Sequence, residues 1–290
     1  MALTNPALNE RVFQKEIDGA DTDRSGWAAP AGPQPRPQGG GLRPGVPGTD
    51  RTMTIGGTIT AALILFVFLL AGGVYGWNAV TQTSRQVPDP NTFGGTITQV
   101  STNFPSWIWI LGLGAFGLAM VTIFTPKLAR FTGIAYALAE GVLLGAISHA
   151  FDLQYNGIVM QAVLATLAVF ASVLFLYATR IVRVTKRFTR VIIGAMLGIL
   201  VLYLGSAIAR WVFGVDLAFY NKPTPLGIGI SLLIVGVAAF SLMIDFDFIE
   251  SAVAAKAPRY LEWYAAFGLM VGLVWLYLEI LRLLALLRSR

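Results

Sequence analysis

The sequence predicts an all-α integral membrane protein, a seven-helix transmembrane bundle preceded by a disordered N-terminal tail. Three observations predict it. Hydrophobic residues make up 56% of the 290-residue chain, and the mean hydropathy is +0.68. Charged residues make up 12%, about half the share usual in soluble domains. The charges bracket long uncharged runs of the length a helix needs to cross a bilayer, about 20 predominantly apolar residues. A membrane β-barrel would instead show short segments of alternating hydrophobicity.

Residues 1–51 form the tail. They hold seven of the fourteen prolines, a Gly39-Gly40-Gly41 run, and six basic residues balanced by six acidic ones. Such a composition buries too little apolar surface to offset chain entropy, so it reads as disordered, with one short helix expected around 9–17. The apolar stretch begins near Thr54, too late for a cleaved secretory signal. Residues 52–290 form the transmembrane domain. Residues 52–84 and 90–126 are uncharged and predict helices at 54–80 and 107–125. The third helix, 131–150, is interrupted only by Glu140; the fourth spans 153–179, and the fifth, 189–213, carries Arg210 near its end. The sixth begins in 223–244, and the seventh, 263–286, carries Glu279 and Arg282.

The net charge of +6 lies wholly within residues 52–290. In a membrane protein such an excess faces anionic headgroups, and no nucleic-acid motif is visible. With the N-terminus inside, fifteen Lys and Arg residues fall on the inner side and six on the outer, so the positive-inside rule places the tail in the cytoplasm. The last three arginines, Arg282, Arg288 and Arg290, run against that count, and a sixth or seventh segment that only re-enters the membrane would relieve them.

Small residues recur every fourth place at Gly133, Ala137, Gly141 and Gly145, at Gly194 and Gly198, and at Gly72 and Gly76. Rows of this kind let helix backbones approach within a membrane. Trp107, Trp109, Trp263 and Tyr264 read as interfacial belts.

Several chemistries are excluded. A chain without cysteine has no disulfide, thiolate nucleophile or cysteine metal cluster. The single histidine, His149, ends the third helix and reads as an interfacial anchor. No lysine occurs in residues 257–290 to carry a retinal Schiff base. Nothing assembles a nucleophile with a base, so no enzyme and no cofactor are expected beyond a transient calcium ion.

Function therefore falls to ionisable groups inside apolar helices, where a charge costs at least about 2.5–3.5 kcal/mol on insertion scales. These are Glu140 near the middle of helix 3, Asp245 and Asp247 at the inner end of helix 6, and Glu279 in helix 7. Asp245 and Asp247 lie about 200° apart around a helix, so only one faces the interior, and both together also read as a polar helix end. Glu279 and Arg282, spaced i,i+3, also read as a self-neutralising pair. Glu140 also reads as a protonated acid or a hydrogen-bond partner of Ser206 or Ser241.

The run from Phe240 to Asp247 (FSLMIDFD), the stretch Leu276-Tyr277-Leu278-Glu279, and Ala139-Glu140-Gly141 followed by Ser148-His149 resemble the Bax inhibitor/YccA family of transmembrane Bax inhibitor motif proteins. The resemblance covers about residues 54–288, and the Pro/Gly-rich tail is similar to that of a bacterial subgroup, which implies a bacterial plasma membrane. It implies a seven-helix bundle with a pH-sensitive calcium leak, controlled by two carboxylates that share a proton in the closed state. By position these are Asp247 and Glu279, which would also be the weak calcium ligands. Lys127 or Arg130 would be the basic latch on the helix 6 acid. Two carboxylates a few ångströms apart at low dielectric do not both ionise readily, so such a pair holds one proton in common. The chain departs from the family in using Glu for the helix 7 acid and in a longer Asp247–Glu279 connection. The expected function is a cation (calcium) leak channel or exchanger gated by that pair. The alternative is a non-transporting regulator that binds another membrane protein, such as a quality-control protease.

Overall fold

The computed structural model describes residues 52–88, 96–103, 105–214 and 222–289; the expected tail lies outside them. Among the described residues, seven helices are long and apolar enough to cross a membrane. They are α1 (Ile55–Ala79), α2 (Trp107–Phe124), α3 (Ala129–Gln154), α4 (Ile158–Ala178), α5 (Lys186–Phe213), α6 (Pro225–Ala254) and α7 (Leu261–Arg288). Each falls where the charge-free runs predicted it, so the protein is a multi-pass membrane bundle. Both α6 and α7 are full-length helices, and neither is a re-entrant segment.

Two elements exceed the sequence reading. Helix α6 does not stop at its acids but continues to Ala254, carrying Asp245, Asp247 and Glu250 within it. Its end comes where Lys256 takes a left-handed φ of 52° ahead of Pro258. Between α1 and α2 the chain forms an antiparallel hairpin, β1 (Thr81–Pro88) with β2 (Thr96–Asn103), registered from Thr81 opposite Asn103 to Pro88 opposite Thr96.

Contacts fix the helix directions. Helices α1 and α3 run parallel, as do α3 and α7, where Tyr136 meets Phe267 and Ser148 meets Tyr277. Helices α6 and α7 are antiparallel: Ala252 packs with Ala265, and Asp245 lies between Gly268 and Gly272. The end at which α1, α3, α5 and α7 begin is called proximal below, and the other distal.

Helix α7 is the axis of the bundle. Its proximal half is buried with α1 and α3, through Ala266, Phe267 and Met270 against Leu65, Ala137 and Tyr136. Its distal half is buried with α4 and α6, through Leu276, Ile280 and Leu281 against Ile158, Ala238 and Leu242. Helix α5 joins mainly through α6, where Ile192 and Ile199 meet Ile234 and Val237.

The tightest seam lies between α1 and α3. The buried side of α1 is the stripe Thr58, Ala61, Ala62, Leu65, Leu69, Gly72 and Gly76, spaced three and four apart as one helical face requires. A Cβ on Gly76 would sit 1.9 Å from the Val142 carbonyl oxygen, and one on Gly145 would sit 2.0 Å from that of Gly73. Only glycine admits backbones this close.

Candidate functional site: the buried acids

Helix α6 turns its two aspartates in different directions. The carboxylate of Asp245 enters the α6–α7 interface, where a Cβ on Gly272 would lie 3.2 Å from Oδ2 and one on Gly268 3.8 Å from Oδ1. The two glycines, one turn apart, leave the space the carboxylate occupies. Among the described residues Asp245 makes no hydrogen bond or ion pair. Asp247 is half-buried and turns toward the start of α5, where it lines a cavity with Thr185, Lys186, Thr189 and Arg190.

Glu279 is buried in the distal half. Its Oε1 accepts from the Tyr203 hydroxyl at 2.7 Å and from Trp275 Nε1 at 3.1 Å. Its Oε2 lies 2.7 Å from Arg282 Nη2, and Arg282 Nη1 donates to the Tyr203 oxygen. The guanidinium also sits 5.3 Å from the centre of the Tyr203 ring. The acid is thus neutralised by its i+3 neighbour, and both are tied to α5 by one tyrosine.

The expected Asp247–Glu279 pair is not brought together. With residues 242–245 level with 268–272, Asp247 lies toward the proximal end and Glu279 toward the distal end. At 1.5 Å per residue the two carboxylates are about 15 Å apart along the helix axes, too far to share a proton or ligate one cation. The offset follows from position within the helices: Asp247 lies seven residues before the end of α6 at Ala254, whereas Glu279 lies eighteen residues beyond the start of α7 at Leu261. The latch is likewise absent from Asp247. Lys127 lies in the short 3-10 turn before α3, and the Arg130 guanidinium stands 5.6 Å from the Trp263 ring centre. Among the described residues neither forms an ion pair with Asp247.

Glu140 lies on the α3 stripe that faces α7, between Tyr136, which packs edge-on against Phe267, and Ser148, which bonds the Tyr277 hydroxyl at 2.8 Å. It is therefore level with about residue 270 of α7, the height of Asp245. Its partner is the hydroxyl of Tyr136, one turn earlier on its own helix. Neither expected serine reaches it, because Ser206 and Ser241 donate to backbone carbonyls of their own helices. His149 stacks on Trp77 with ring centres 4.6 Å apart. Among the described residues no three His, Asp or Glu side chains converge to hold a metal.

Sequence reasoning passed over Glu262. This carboxylate is buried at the proximal end, where Oε1 accepts from Thr54 N and Thr54 Oγ1, each at 3.0 Å. A Cβ on Gly57 would fall 2.2 Å from the same oxygen. Glu262 thereby caps α1 from another helix, its charge favoured by the positive end of the α1 dipole. Met53 N bonds Ala257 O at 2.7 Å beside it, completing a strap between the start of α1 and the α6–α7 connection.

A multi-pass bundle with two buried acids, Glu262 and Glu279, and two half-buried ones, Glu140 and Asp245, in its membrane-spanning helices is the class of protein these features define. The family model described as Bax inhibitor 1 like matches residues 5–289, and the chain belongs to that family. Comparison with curated proteins and with solved structures finds no match.

Proposed function

We propose that the protein is a pH-sensitive cation leak or exchanger carrying calcium across a bacterial plasma membrane, with its N-terminus in the cytoplasm. Asp245 and Glu140, on either side of α7, are its sensing groups in place of the Asp247–Glu279 pair. The observation that carries this reading is the Asp245 carboxylate, held between helices against two glycines without a hydrogen-bonding partner among the described residues. A half-buried acid packed between helices without a partner is costly, and inside a membrane such groups mark ion pathways.

When the two acids are protonated, the proximal half of the bundle offers a cation no charge. When they ionise, they attract a cation and supply carboxylate oxygens, the donors calcium prefers. Two acids among backbone carbonyls and water make a weak site, and a transported ion must be able to leave it. Flux is therefore expected to rise with pH.

The test is calcium entry into indicator-loaded proteoliposomes measured across the neutral pH range. Asp245→Asn with Glu140→Gln is expected to lower entry about tenfold, equivalent to about 1.4 kcal/mol of barrier, and to flatten its pH dependence. Entry equal to wild type at every pH overturns the reading.

A second reading, a regulator that binds another membrane protein, is supported by α5. Only 11% of its apolar span is buried within this chain, and Gly194, Gly198 and Gly205 meet nothing within 4 Å. A transmembrane partner would find there the kind of row that α1 and α3 use on each other.

A further inference from the structure

The cavity beside Asp247 has an unusual wall. It is an open depression of about 500 Å³ at the start of α5. Lys186 and Arg190, one turn apart on α5, supply two cations; beside them Thr185 caps the helix, its Oγ1 accepting from Phe188 N and keeping its own hydrogen to donate, while the Thr189 hydroxyl donates to Thr185 O at 3.2 Å. Asp247 of α6 also lines it, and Val184 and Ile193 make the rest of the lining apolar. Among the described residues Asp247 forms no ion pair with either cation. Thr189 and Asp247 are half-buried, whereas Lys186 and Arg190 are exposed at the rim.

A purely anionic ligand would gain from the two cations and be repelled by Asp247. A purely cationic one would meet the reverse. The whole wall is satisfied by a ligand that carries both signs at short separation. We propose that this cavity binds the headgroup of a phospholipid bearing a phosphate and a primary ammonium, as in phosphatidylethanolamine. The phosphate lies between Lys186, Arg190 and the Thr185 hydroxyl, with the guanidinium suited to two parallel hydrogen bonds, and Thr189 reaches it by turning its hydroxyl from Thr185 O. The ammonium donates to Asp247, and Val184 and Ile193 receive the start of the acyl chains.

The chemistry sets the selectivity. A primary ammonium has three N–H donors for the Asp247 carboxylate, as a lysine head does, whereas the trimethylated ammonium of choline has none. A glycerol headgroup leaves the carboxylate without a cation. The site is independent of the flux proposed above, because it involves neither Asp245 nor Glu140.

The test is native mass spectrometry of the full chain released from vesicles containing equal parts of phosphatidylethanolamine, phosphatidylglycerol and phosphatidylcholine. Wild type is expected to retain phosphatidylethanolamine about tenfold over either competitor. Asp247→Asn is expected to abolish the preference over phosphatidylglycerol while phospholipid is still retained. Lys186→Gln with Arg190→Gln is expected to lose both lipids. Thr189→Val, a near-isosteric change at the base, is expected to weaken retention severalfold and decides between the outcomes if the charge variants do not fold. Equal retention of the three lipids by wild type overturns the proposal, as does a preference that survives Asp247→Asn, or retention unchanged in Thr189→Val. Soluble phosphoethanolamine displacing the lipid at matched concentration overturns the assignment to a membrane lipid.

Discussion

Helices α1 and α3 on one side and α5 on the other carry rows of small residues at the same spacing, yet they attach to the bundle by different physics. Along α1 and α3, Gly72, Gly76, Gly141 and Gly145 bring backbones so close that an added Cβ would lie 1.9–2.3 Å from a carbonyl oxygen of the facing helix. Along α5, Gly194, Gly198 and Gly205 face open space. That helix is held by a modest apolar contact with α6 and by Tyr203, which joins Glu279 and Arg282 on α7. Spacing therefore shows which faces permit close approach; burial shows which of them this chain uses. One region gains its stability from close packing, the other from a few polar contacts in an apolar setting.

The largest effect is expected where α5 depends on charge. Arg282→Gln leaves Glu279 buried without its cation, and removing one partner of a buried pair costs about 3–5 kcal/mol. Unfolding of the purified protein should show that loss, and Glu279→Gln in the same chain should restore much of it. At the α1–α3 seam, Gly145→Ala forces a methyl against the Gly73 carbonyl and is expected to cost about 1–3 kcal/mol in the same assay. Glu262→Gln removes a charged acceptor from Thr54 and is expected to cost about 1.5–3 kcal/mol, with faster proteolysis at the start of α1. Gly198→Ala on α5 should fall within about 0.5 kcal/mol of wild type, since its Cβ meets nothing. A cost at Gly198 equal to that at Gly145 would erase the contrast between the two regions.

Much of this architecture was legible in the chain. Charge-free runs mark helices because a bilayer excludes both charges and unpaired backbone groups, and neither rule needs tertiary information. The seam stripe on α3 was legible for the same local reason, and the i,i+3 spacing of Glu279 and Arg282 already pointed to a neutral pair. Helix α6 was read too short because its acids resemble an exit from the membrane, although Asp245 is packed against α7. The hairpin had a signal in the β-branched run of Thr96, Ile97, Thr98 and Val100, overlooked among the membrane spans. What the sequence concealed was register. Whether Glu279 faces Asp247 depends on Leu242 and Asp245 seating against Gly272, a contact between segments whose spacing gives no depth. Glu262 was hidden because an acid in the first turn of its own helix is ordinary, and only the fold reveals that it caps a different one.

The α6–α7 register is the point on which the reassignment from Asp247 and Glu279 to Asp245 and Glu140 rests, and cross-linking measures it directly. The chain contains no cysteine, so introduced pairs report without background. Oxidation of Leu242→Cys/Gly272→Cys in membranes is expected to give an intramolecular disulfide, which requires Cα atoms about 4.4–6.8 Å apart, while Asp247→Cys/Glu279→Cys is expected to stay reduced. A disulfide in the Asp247/Glu279 pair and none in the Leu242/Gly272 pair would contradict the register and return the two distant acids to a common site.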